Sequence, residues 1–348
     1  MGCCNLSSYH YILLCNAIGG ESMEIAKVLF HVLVFPGGLF AIAIALLMSG
    51  IDRKLVAKMQ LRKGPPLLQP CYDFFKLLGK DTIIPKNAYA KMFLLAPIIS
   101  LAAILVIPIF IPMYQNIFIK NSADIIVIIY LLTIPAVMLV IGGSSSSSPL
   151  AGIGSSREVV TMLAYELPMV LAILSVCRKA GEGIGGVTTF SMEAIQVFQG
   201  MNGISILQLS LIPAALAFLM VIPAEVGVVP FDMAEAETEI CEGPLVEYSG
   251  LYLGLYKLVG NIKAFIISAL FVALFLGGFG FNFSSNGVIN SVLSILLFII
   301  LTIIVMFISI TFVRSIVGRF KINQGLKFFW TVPTALAVIS FILVSIGI

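Results

Sequence analysis

The chain is 348 residues long, with 60% apolar and 11% charged residues and a formal net charge of +3, where soluble domains carry roughly 45–50% apolar and about 25% charged residues. A mean hydropathy of +1.11 excludes a soluble globular enzyme, because one water-enclosed core cannot hide that much apolar surface. The net charge is too small to point to nucleic acid, so only the distribution of the 20 Lys and Arg residues is informative.

Residues 1–24 read as an outer N-terminal segment. They lack a basic n-region, so no cleaved signal is expected, and Leu6 stands where myristoylation needs Ser or Thr. Cys3, Cys4 and Cys15 lie here and read as small thiols. None of the six cysteines, which include Cys71, Cys177 and Cys241, forms a CxxC or another zinc or iron–sulfur spacing.

Residues 25–348 read as a single membrane domain. A spanning helix needs about 20 mostly apolar residues, and eight such runs occur, at about 25–50, 92–114, 124–143, 158–178, 205–229, 249–278, 287–313 and 326–347. The expected class is therefore all-α, a polytopic membrane protein with eight transmembrane helices; a spanning barrel would show short alternating segments instead.

An inner basic loop follows the first run, at 51–91, and carries Arg53, Lys54, Lys58, Arg62, Lys63, Lys76, Lys80, Lys86 and Lys91. Within it, 72–79 has the spacing of an interfacial helix entered through Pro65-Pro66 and Pro70. Gly142-Gly143 and Ser144 to Ser148 read as a flexible inner loop, and 188–199 as a second short helix with Met192, Ile195 and Phe198 on one stripe. Arg157 and the four cations Arg314, Arg319, Lys321 and Lys327 fall on the same side as the basic loop, against Lys27, Lys120, Arg178 and Lys179 on the other. By the positive-inside rule both termini face outward.

Charged groups within spans cost at least about 2.5–3.5 kcal/mol each at mid-helix and mark functional candidates. They are Glu166 in the fourth run, Glu225 in the fifth, and Lys257 and Lys263 in the sixth. Mutual pairing that merely satisfies packing is the plain structural alternative. The densest signal is Glu225 to Glu247, which holds seven of the 17 acids and contains the inner acidic loop 230–248. If the part after Pro230 is helical, Asp232, Glu235, Glu239 and Glu242 share one face, with Glu242 at its solvent end. A solvated acidic face is one account. The other is a proton relay, because close carboxylates in a partly desolvated site share protons, and the run itself contains no Lys or Arg.

These residues also carry a family resemblance. Asp52-Arg53-Lys54 through Met59-Gln60-Leu61-Arg62-Lys63-Gly64-Pro65, Ala164-Tyr165-Glu166, Pro230-Phe231-Asp232 with Glu235, Glu237 and Glu239, Val246-Glu247-Tyr248, and Thr311-Phe312-Val313-Arg314 through Arg319-Phe320 stand in the order seen in the membrane subunit that docks the redox arm of respiratory complex I. The short Gly64 to Asp73 segment, Ser155-Ser156-Arg157-Glu158, and the Glu242 to Gly250 stretch resemble the branch found in membrane-bound, energy-converting nickel–iron hydrogenases. Lys257 and Lys263 stand where complex I tends to have a glutamate.

The resemblance implies a tilted helical bundle that anchors a peripheral redox module, couples electron transfer to proton or sodium translocation, and is itself a non-catalytic subunit. Its implied proton or ion path comprises Glu166, Glu225, Asp232, Glu235, Glu237, Glu239, Glu247, Lys257 and Lys263. Its implied docking cations are Arg53, Lys54, Arg62, Lys63, Arg157 and Arg314. It implies no cofactor in this chain, with iron–sulfur clusters and a nickel–iron site in partner subunits. Those partners would be hydrogenase large and small subunits, an iron–sulfur protein and antiporter-like membrane subunits in a prokaryotic plasma membrane. A quinone-reducing complex I subunit, a sulfur-reducing complex subunit and a free-standing transporter are the alternatives.

Overall fold

The structure, a computed structural model, describes residues 33–113, 124–182, 188–277 and 287–347. The expected outer segment 1–24, with its three cysteines, and Lys27 and Lys120 lie outside the described residues.

The described chain is almost entirely helical; among these residues the only β-type pairing is an isolated bridge between Asp124 and Ser191. In order the helices are α1 (Gly38–Met59), α2 (Gln69–Leu78), α3 (Ala90–Phe110), α4 (Ile125–Ser145), α5 (Pro149–Glu182), α6 (Met192–Asn202), α7 (Ile212–Val226), a single turn α8 (Glu237–Ile240), α9 (Gly250–Phe271), α10 (Gly287–Met306) and α11 (Ile322–Ile346). Helix α9 runs on through a π-helical stretch to Leu276, and α10 through another to Thr311 and then to Ile316.

Six of these are long and apolar enough to cross a membrane, and they coincide with six of the eight expected spans. The other two are different in kind. Helix α1 is 22 residues long but carries Asp52, Arg53, Lys54 and Lys58 along its second half. Helix α7 has only 15 residues, about 22 Å at 1.5 Å per residue, which is short of a hydrocarbon core of roughly 30 Å. Gly227 at φ 72° terminates α7, a left-handed conformation glycine adopts without steric cost. The terminating turn therefore leaves Glu225 inside the bundle rather than at a membrane surface.

Helix α9 is the centre of the bundle, packed by α1, α2, α3, α7 and α10. Phe218 of α7 meets Phe271 and Phe275 at ring-centroid distances of 5.9 and 6.0 Å. At the basic end, Phe93 of α3 stacks on Tyr248 at 4.0 Å. The Tyr248 hydroxyl donates to the Phe93 carbonyl at 3.0 Å and that of Tyr256 to the Met138 carbonyl at 3.1 Å.

The expected Gly142-Gly143 loop is instead the last turn of α4, and only Ser146–Ser148 turns. A Cβ at Gly142 would run into the Tyr248 and Tyr256 hydroxyls, and one at Gly143 would lie 2.9 Å from Pro244 Cβ. These glycines serve close approach within a helix, not flexibility. Likewise α5 starts at Pro149, a position that suits a helix start, so Arg157 and Glu158 are helical rather than preceding the span. The two short helices at 69–78 and 192–202 match their expected positions, and Met192, Ile195 and Phe198 are buried as their stripe requires.

Candidate functional site

A cavity of about 420 Å³ lies between the ends of α1, α4, α5, α7, α9 and α10 and the segment after α7. In an otherwise apolar bundle it collects seven carboxylates, from Asp52, Glu158, Glu225, Asp232, Glu235, Glu237 and Glu242, and four cations, from Arg53, Lys257, Lys263 and Arg314.

Its deepest element is an ion pair. Lys263 Nζ donates to Glu225 Oε1 at 2.9 Å, with the side chains only 8% and 2% exposed. The pair joins the last turn of α7 to the middle of α9, where apolar neighbours strengthen the attraction and neither charge has access to bulk water. Glu225 Oε2 and the Tyr165 hydroxyl are buried without a hydrogen-bond partner among the described residues, so the carboxylate keeps an oxygen free to take a proton.

Glu158, on the turn of α5 facing the cavity, is within electrostatic reach of both Lys263 and Glu225. Glu235 interacts in turn with Glu158, Glu242, Asp232 and Lys257. The Glu235 carboxyl is surrounded by protein apart from the surface it shows to the cavity. Burial, followed by the neighbouring carboxylates, pushes its pKa up from 4.5 to about 7. The carboxylates thus form a series, Glu235 to Glu158 to Glu225, with Lys257 and Lys263 alongside. Glu166 continues it, half-buried in α5 and within electrostatic reach of Glu225.

The acidic stretch is not the expected helix. Only Glu237–Ile240 is helical; Cys241 and Glu242 follow at φ 50° and 68°, and Gly243-Pro244 prevents continuation. Asp232, Glu235, Glu239 and Glu242 therefore do not share a helix face, and Glu242 lines the cavity instead of standing at a solvent end. Cations from elsewhere in the chain take up the charge. Arg319 grips Asp232 through two nitrogens, Nε to Oδ1 at 2.8 Å and Nη2 to Oδ2 at 2.5 Å. Arg157 Nη1 donates to Glu239 Oε2 at 2.6 Å and to the Met233 carbonyl at 3.3 Å, and this bond holds the Glu239 carboxyl below its ordinary pKa.

Of the expected path, the cavity brings together Glu225, Asp232, Glu235, Glu237, Lys257 and Lys263. Glu239 is exposed and bound to Arg157, and Glu247 is half-buried outside the lining. Among the expected docking cations, Arg53 Nη1 donates to Asp73 Oδ2 at 2.8 Å, and Gln69 Nε2 donates to Asp73 Oδ1 at 2.9 Å, tying α2 to α1. Arg314 Nη1 lies 3.3 Å from Asp52 Oδ2, while Lys54, Arg62 and Lys63 are in no ion pair among the described residues.

Two cavity carboxylates escaped the sequence reading. Asp52 is buried and accepts a 2.6 Å bond from Thr311 Oγ1; Thr311 sits in the π-helical stretch of α10, a feature often found at functional sites. Glu158 was overlooked because the span was expected to begin there; extending the helix back to Pro149 places Glu158, Thr161 or Met162, and Tyr165 on one face, the signal that could have found it. Among the described residues no group of three or more His, Cys, Asp or Glu side chains could hold a metal ion.

Comparison with known proteins adds the family. The NADH dehydrogenase family model matches residues 31–345. Hydrogenase-4 component C of Escherichia coli is 31% identical over 64% of this chain and 68% of that protein. A membrane subunit of the NADH-quinone oxidoreductase of Dehalococcoides mccartyi is 30% identical over 91% of this chain and 87% of that one. Among solved structures, a chain of the membrane-bound sulfane sulfur reductase, an archaeal respiratory membrane complex, superposes with a TM-score of 0.79 at 32% identity, covering 88% of this chain and 96% of that chain. The chain belongs to the NADH dehydrogenase family of membrane subunits.

Proposed function

We propose that this chain is the membrane subunit of an energy-converting, hydrogenase-type respiratory complex, anchoring a peripheral redox module and coupling its electron transfer to proton or sodium translocation. One observation carries the reading: a buried Glu225–Lys263 pair at the head of a cavity that continues through Glu158 and Glu235 to the loop held by Arg157 and Arg319. A charge change delivered at the loop end alters the field on these carboxylates, and protons redistribute along them. In this reading both termini face outward, the basic loop with Arg53, Lys54, Arg62 and Lys63 lies inward against the redox module, and iron–sulfur and nickel–iron chemistry belongs to partner subunits beside antiporter-like membrane subunits.

The relation to hydrogenase-4 component C, and to formate hydrogenlyase subunit 4 of Escherichia coli at 35% identity over 65% of this chain and 71% of that protein, supports the hydrogenase branch. The sulfane sulfur reductase neighbour favours a second reading, a sulfur-reducing complex built on the same membrane parts. Affinity purification of the native complex distinguishes them. Stoichiometric iron–sulfur protein with bound nickel, and turnover indifferent to added quinone, is the expected result. Iron–sulfur protein without nickel would move the assignment to the second reading, and purification of the chain alone would sink both.

A further inference from the structure

On the opposite side of α5 from Glu158, a cleft of about 440 Å³ lies between α5 and α11, lined by Val160, Leu163, Ala164, Leu326, Lys327 and Trp330. Ala164 forms its floor at 1% exposure, while Leu163 and Trp330 stand at its walls, 58% and 65% exposed, so it opens away from the bundle. It has no part in the cavity chemistry.

Both helices enter from the basic end: Arg157 lies one turn before Val160, and Lys321 precedes α11. Lys327 is thus five residues inside α11, about 7.5 Å along its axis, at the depth where a lysine extends its stem over apolar surface and keeps its ammonium among headgroups. It is exposed and forms no ion pair with any described residue. Trp330 follows one turn later; tryptophan favours this boundary between headgroup and hydrocarbon. The cleft is therefore an apolar slot closed at its headgroup end by a single unneutralised cation.

We propose that this cleft is a binding site for one anionic phospholipid, with its phosphate against Lys327 and an acyl chain lying along Leu163, Ala164 and Trp330. The charge pattern selects this occupant, because one cation above an otherwise apolar slot matches an amphiphile with one negative head. The volume agrees: a helix is about 10–12 Å across with its side chains, so the cleft holds only about one turn of a partner's helix.

The chain's single tryptophan is in the cleft and reports on it. The purified complex is reconstituted into zwitterionic phospholipid vesicles doped with a phospholipid brominated on its acyl chains, carrying either an anionic or a zwitterionic headgroup. Fluorescence of a Trp330→Phe complex is subtracted to remove the partners' tryptophans. The anionic brominated lipid should quench Trp330 at about fivefold lower mole fraction than the zwitterionic one, the factor one basic residue near a membrane surface supplies. Lys327→Gln should abolish that preference while leaving quenching by the zwitterionic lipid intact. Equal quenching by the two lipids in the parent would mean ordinary bulk-lipid contact, absence of quenching by either would mean that a partner chain covers the cleft, and a preference that survives Lys327→Gln would place the headgroup elsewhere; each of these overturns the proposal. Lys327 and Trp330 are exposed and outside the packed core, so neither substitution threatens the fold.

Discussion

Glu235 and Glu225 show how one type of side chain is set to two tasks by its surroundings. Glu225 has a cation 2.9 Å away, whereas Glu235 faces Glu158, Glu242 and Asp232 with only Lys257 opposing them. With its pKa pushed up to about 7, Glu235 holds and releases a proton near neutral pH, as a relay entry requires. The sign follows directly. Below the ordinary value of 4.5 the carboxyl is neutral whether the chain is folded or unfolded. Between 4.5 and about 7 only the folded state keeps the proton, and above that the group must ionise against burial, so its contribution to stability is lost as pH rises through about 7. Infrared titration of the complex should accordingly show a protonated-carboxyl band that disappears with a midpoint near 7 and is missing in Glu235→Gln. An unchanged spectrum in that variant would remove Glu235 from the relay.

At the level of elements, the long apolar runs that became α3, α4, α9, α10 and α11 were legible because lipid demands length and hydropathy and little else. The acidic segment was not. Its three-and-four spacing suggested a helix, but left-handed Cys241 and Glu242 and the Gly243-Pro244 step break it, and its shape depends on Arg157 and Arg319, which lie 82 and 87 residues away from Glu239 and Asp232. Pairings at such separation leave no local pattern. The α4 glycines were misread for a similar reason: composition suggested a loop, whereas Tyr248 and Tyr256, more than a hundred residues on, require the missing side chain. Gly142→Ala should therefore destabilise the bundle by about 1–3 kcal/mol. Gly152→Ala, where an added Cβ meets nothing within 4 Å, should be neutral or stabilising by up to roughly 1 kcal/mol. Thermal unfolding of the two variants in detergent, followed by circular dichroism, checks the contrast; equal midpoints would contradict the packing argument.

For the whole molecule, the arrangement reconciles two opposing demands. Ionised groups inside a membrane protein are costly unless paired, yet a translocating subunit has to carry charge changes through its interior. A short α7, ended by Gly227, brings Glu225 into the bundle; the central α9 presents Lys263 to it; and α5 carries Glu158, Tyr165 and Glu166 past the same point. The charged spans were visible in the sequence as candidates, but their assembly around one cavity required the fold.

The central claim is that Glu225 passes protons rather than merely packing against Lys263, and ion translocation by reconstituted complexes tests it most directly. Glu225→Gln keeps the side-chain volume and removes the carboxylate; because it also strands a buried cation, which can cost about 3–5 kcal/mol, it is paired with Glu225→Gln/Lys263→Gln, which relieves that charge. With ion movement across proteoliposomes measured per mole of assembled complex, alongside dye-linked redox turnover, both variants should retain turnover and lose translocation at least tenfold. Translocation equal to the parent's in either variant, at equal assembly, would show that the pair is structural and contradict the account.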